Sequence, residues 1–105
     1  MDKETQRLIN HIETTNDVKK LETTISMLMF GWVMDDHNTK EYEKLIEISQ
    51  SRLKVVMLLR GEDHPLQHLD LKRDKKKIEM SVMMSIMKGV IDHEEEMKMD
   101  FFSMN

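Results

Sequence analysis

Three glycines and one proline serve all 105 residues of this chain, and that scarcity limits its fold more than any other feature. A multi-stranded β fold spends such residues at every turn, so little material for one is present. The apolar positions keep helical spacing instead. Val18, Leu21, Ile25, Leu28 and Trp32 follow at steps of 3, 4, 3 and 4, an a/d seam over two heptads. Leu8, Ile9 and Ile12 give a shorter amphipathic stretch, with Asp2 placed to cap it. The Thr14–Asp17 run ends that stretch, because its side chains compete for backbone hydrogen bonds.

Further signals mark out the rest. Asn38 with Glu41 three residues later has the spacing of a capping box. Tyr42, Leu45, Ile46, Leu53, Val56 and Met57 then share one helical face, and Gly61 after Arg60 is a stop signal. Pro65 suits a first helical turn, with Asp63 or His64 before it. Nothing between Leu66 and Lys88 reads as a breaker, whereas Asp92 with Glu95 offers a new cap and implies a bend near Gly89. The expected fold is all-α: one domain over 1–105, a small bundle of three to five helices. A short helix falls at about 2–14, longer ones at about 18–35, 39–60 and 65–89, and a C-terminal segment at 92–105. An apolar run followed by Gly and an acidic-His pair occurs three times, around Gly31, Gly61 and Gly89. The segments between do not match, so this is read as helix-end punctuation rather than a repeat.

Composition removes several functional classes. Without cysteine there is no disulfide framework, thiol catalysis or thiolate zinc site. Glycine-rich phosphate loops, Gly-x-Ser-x-Gly and His-Glu-x-x-His are all absent. The N-terminal stretch is too polar for a signal peptide, and the uncharged run Ile25–Met34 is far shorter than a membrane span of about 20 residues. A soluble, cytoplasmic protein that does not enter membranes is expected, with no cofactor.

Histidines and carboxylates supply the candidate metal ligands. His64 and His68 are four apart and have Asp63 beside them, a set that suits a divalent ion. If the main helices run up, down and up, Asp36 and His37 fall at the same end as Asp92, His93 and Glu96. Capping of wet helix ends accounts for both groups more simply. Lys72, Arg73, Lys75, Lys76 and Lys77 form a basic run that could neutralise phosphates. The chain nevertheless carries a net charge of −4, and no aromatic residue interleaves the run for base stacking. Beyond it lie Glu79, Asp92, Glu94, Glu95, Glu96 and Asp100 against only Lys88 and Lys98. In a head-to-tail or antiparallel dimer these opposite blocks could pair.

The twelve methionines give the clearest signal, because Met80, Met83, Met84 and Met87 share one segment with Val82, Ile86, Val90 and Ile91. On a helix these residues cover nearly the whole circumference, while Ser81, Ser85 and Gly89 form a stripe of small residues. A helix apolar all round must be covered on all sides. One small bundle cannot readily do this for both this segment and Ile25–Met34, so self-association, as a dimer, is expected. Phe101 and Phe102 in the acidic tail would dock within that assembly.

The functional expectation is a small non-catalytic adaptor, inhibitor or regulator acting by protein–protein binding. Its size and Met-heavy surface suit a virus or mobile element, although no motif carries that origin. The alternative is an oligomeric binder of nucleotide or nucleic acid through the 72–77 run. A second alternative is a metal-dependent helical enzyme using the His, Asp and Glu residues at helix ends.

Overall fold

Four helices and two short 3-10 turns make up the fold in the computed structural model, which describes the backbone of residues 2–103 and side chains from 2 to 89. Among the described residues there is no strand. Helix α1 spans Lys3–Thr14 and is capped by Asp2, whose carboxylate accepts the Thr5 amide at 2.7 Å. It buries Ile9 and Ile12. Asp17 caps α2 (Val18–Met34) by accepting from the Lys19 and Lys20 amides. The heptad seam is the buried face: Leu21, Ile25, Leu28 and Trp32 are in the core with Met29, and Val18 packs against it.

Helix α3 (Thr39–Arg60) is the spine of the bundle, with α1 and α2 both packed on it. Leu45, Ile46, Leu53, Val56 and Met57 are buried along it. Ser49 is fully buried among them, and its hydroxyl donates to the Leu45 carbonyl at 2.8 Å. Arg52 donates through Nε to the Thr15 carbonyl at 2.9 Å and so ties the α1–α2 connection to α3. Trp32 Nε1 donates to Glu43 at 3.3 Å. At the end of α3, Gly61 adopts the left-handed φ of 67°, and its amide and that of Glu62 return to Leu58 and Met57.

The start of α3 corrects one expectation. The Asn38 side chain makes no cap to the helix and instead donates to Asp35 at 2.9 Å. Asp36–Asn38 form a 3-10 turn, begun by Asp35, that leads into Thr39.

The expected single helix over 65–89 is also corrected. Pro65–His68 is only a 3-10 turn, and α4 (Lys75–Ser103) begins ten residues after Pro65. Two aspartates make the break. Asp70 accepts the amides of Lys72 and Arg73 at 2.9 and 3.1 Å, while its own amide donates to Asp74 Oδ2 at 3.0 Å. This reciprocal exchange starts a new helical turn without Gly or Pro, as a capping box does. Gln50 of α3 anchors the connection by donating to the carbonyls of Leu66 and Leu69 at 2.9 and 2.8 Å.

Glycine at 31 and 89 does not end a helix, contrary to the punctuation reading. Gly31 lies inside α2, where a Cβ would come within 2.5 Å of the Tyr42 ring. Helix α4 runs through Gly89 without a break.

Candidate functional site

Helix α4 meets the bundle mainly at α2, and one face of it is buried. Ile78 and Val82 are in the core and Ile86 is partly buried against it, a stripe at steps of four. Met80, Met84 and Met87 lie on the opposite side at steps of four and three, with Met83 beside them. Their exposures of 66, 66, 60 and 51% respectively identify an open apolar face rather than a packed one. The single chain therefore leaves its Met-rich helix uncovered on one side. Helix α4 is peripheral, and α3 holds the middle.

A groove of about 600 Å³ runs along the flank of α4. Ser81 and Ser85 form its α4 wall with Lys77 at one end, and Met27, Met29 and Phe30 of α2 face them. Leu66 and Leu69 add to its lining. The small-residue stripe thus borders open space, and a Cβ at Gly89 would touch nothing. Met27 and Phe30 are exposed and extend the apolar surface onto α2, and Met34, also exposed, is not among the residues lining the groove. Their signal was the uncharged Ile25–Met34 run, of which the a/d seam accounts only for Ile25, Leu28 and Trp32. Val55, Leu58 and Leu59 form a separate exposed patch on α3 that the sequence analysis did not single out. They lie beside the buried Val56 and Met57 in sequence but on the opposite side of the helix, so the spacing that marks the core face leaves them off it.

The basic run divides in two. Lys72, Lys75, Lys76 and Lys77 are exposed. Arg73 is engaged: its guanidinium donates to Asp74 at 3.0 and 3.3 Å and to the His68 carbonyl at 3.0 Å. This pairing with Arg73, and then the Asp70 amide, holds the Asp74 carboxyl below its ordinary pKa, while Asp74 raises that of Arg73. Asp70 is likewise lowered, through the amides of Arg73 and Lys72.

The candidate metal ligands are used locally. His64 Nε2 meets Glu22 of α2, and its Nδ1 accepts the Leu66 amide at 3.1 Å, capping the 3-10 turn. His68 turns instead to Asp63 at 2.7 and 2.9 Å. Asp36 and His37 are exposed in the turn before α3. Among the described residues, no three His, Asp or Glu side chains are grouped to hold a metal ion. Of the remaining candidates, Val90, Ile91, Asp92, His93, Glu96, Phe101 and Phe102 occupy positions on α4, and their side chains lie outside the described ones. No described helix is long and apolar enough to cross a membrane. No family model matches the chain, and neither a curated protein nor a solved structure matches it.

Proposed function

We propose that this chain is a small non-catalytic adaptor or regulator that acts by binding protein and works as a homodimer through α4. One observation carries the reading: Met80, Met83, Met84 and Met87 are all more than half exposed on a helix anchored through its other face. Large contiguous apolar patches are uncommon on monomers and mark interaction surfaces. Methionine suits such a surface, since its unbranched, polarizable side chain repacks against different partners at small cost. The flanking groove enlarges the area that a second chain can cover.

Sedimentation equilibrium tests self-association. The expected species at micromolar concentration has twice the 12.6 kDa mass of the chain, and Met84→Glu returns it to monomer with its helical circular dichroism intact. A wild-type monomer throughout that range would refute the dimer. Selection of random peptides on the purified dimer tests the binding role. Apolar amphipathic peptides that lose affinity for Phe30→Glu, on the α2 wall of the groove and off the α4 Met face, are expected, and enrichment indifferent to that substitution would count against the role.

The anion-binding alternative draws on Lys72, Lys75, Lys76 and Lys77. It lacks Arg73, the side chain best shaped for phosphate, which is committed to Asp74. Protein binding is therefore the better-supported reading.

A further inference from the structure

The open face of α4 has a periodicity of its own. Met80, Met84 and Met87 follow at steps of 4 and 3, the spacing of an a/d seam, and one further step of 4 along the helix reaches position 91. Lys77 precedes this seam by three residues and Glu94 follows it by three, so both belong to the same stripe. Because α4 is continuous from Lys75 to Ser103, the lysine block 75–77 and the glutamate block 94–96 lie on one helix. The two blocks are equidistant from the midpoint of the seam.

We infer that two copies of this chain pair through α4 in antiparallel register, about a two-fold axis between Ser85 and Ile86. The inference rests on the reading of the Met face as a self-association surface and adds its orientation. In this register position 84 stands opposite 87 of the second copy, and 80 stands opposite 91. Lys77 is level with Glu94 of the second copy and Lys76 with Glu95, while Lys75 and position 96 fall in register on the Ile78–Val82 side. Hydrophobic pairing and charge pairing thus select the same register, although neither was used to set the other. A parallel pair would instead bring Lys76 and Lys77 against their own copies and Glu94 and Glu95 likewise, and like charges at an interface oppose association. The buried face of Ile78 and Val82 remains on its own bundle, so neither copy has to open. The resulting contact is isologous and closes at two chains.

Engineered cysteines report without interference, since the chain has none. Met80→Cys and Ile91→Cys are prepared separately, one of them tagged, then mixed and oxidised. The expected product is the mixed disulfide. In this register each cysteine is about 16 Å along the axis from its own copy, at about 1.5 Å per residue, beyond the roughly 7 Å Cα separation a disulfide spans. Homodisulfides of each variant would mean a parallel pair and would overturn the inference. A second arm exchanges charge. Lys76→Glu and Lys77→Glu together should weaken the dimer by about tenfold or more, as expected for ion pairs turned repulsive. Adding Glu94→Lys and Glu95→Lys should restore it. A dimer unmoved by the first exchange, or not rescued by the second, rejects the register while leaving self-association standing. A wild-type chain that never dimerises rejects both. If the charge variant loses its helical signal, the cysteine arm decides.

Discussion

Helices α2 and α4 look alike on paper and behave differently in the fold. Each contains a run that is apolar nearly all round, Ile25–Met34 in one and Ile78–Ile91 in the other apart from Glu79 and Lys88. In α2 the run meets α3 along its seam and α4 beside it, and five of its helix's residues are buried. In α4 the described residues contribute only Ile78 and Val82 to the core. All-round apolarity therefore predicts complete burial only when enough neighbours are available. Where one neighbour serves, as α2 does for α4, the remaining face stays open and is suited to a second chain.

Substitutions should separate the two helices sharply. Ile25→Ala in α2 is expected to cost about 2–5 kcal/mol in urea unfolding, as for a fully buried aliphatic side chain. Met84→Ala should change the stability of the monomer by no more than about 0.5 kcal/mol, as for a surface residue, yet weaken the dimer. Equal losses at the two positions would erase the distinction. A smaller effect is expected where α4 begins. Asp70 and Asp74 both have pKa values lowered in the fold, so their contribution is complete above the ordinary carboxylate range and lost as pH falls through the folded-state values. Thermal midpoints should therefore fall on acidification below about pH 4. Asp74→Asn should lower the midpoint at neutral pH and flatten that decline.

A further test concerns α2 itself. Alanine at Gly31 would gain helix propensity of about 1 kcal/mol but would displace the Tyr42 ring. Gly31→Ala should therefore be more favourable in a Tyr42→Leu background than in the wild type. A double-mutant cycle is expected to give about 0.5–1 kcal/mol of coupling, and strict additivity would show that the ring gives way freely.

Much of this architecture was legible from residues whose chemistry is local. Asp2, Gly61 and Pro65 mark their helix or turn boundaries because caps, left-handed turns and a fixed φ depend on a few neighbouring atoms. The α2 seam was readable because a heptad spacing has one buried face. The break at Asp70–Asp74 was not, since aspartates within a polar, basic run read equally well as solvated helix. Gly31 needed the position of Tyr42, eleven residues away, before its role differed from that of a helix stop. At the candidate site, the methionine cluster on α4 stood out in the sequence. Its partition into a buried Ile78–Val82 side and an open Met side depends on where α2 lies. The groove likewise required two helices to be placed together.

Methionine oxidation tests the central claim most directly, because the same residue type reports from both helices. Limited peroxide treatment followed by mass spectrometry reads each side chain's accessibility. Met29 and Met57, buried in the core, should react slowly at every protein concentration, and the exposed Met34 of α2 rapidly at every concentration. Met80, Met84 and Met87 should react as rapidly as Met34 in dilute solution and become protected as concentration rises. If these three follow Met34 at all concentrations, no second copy covers α4 and the account is contradicted.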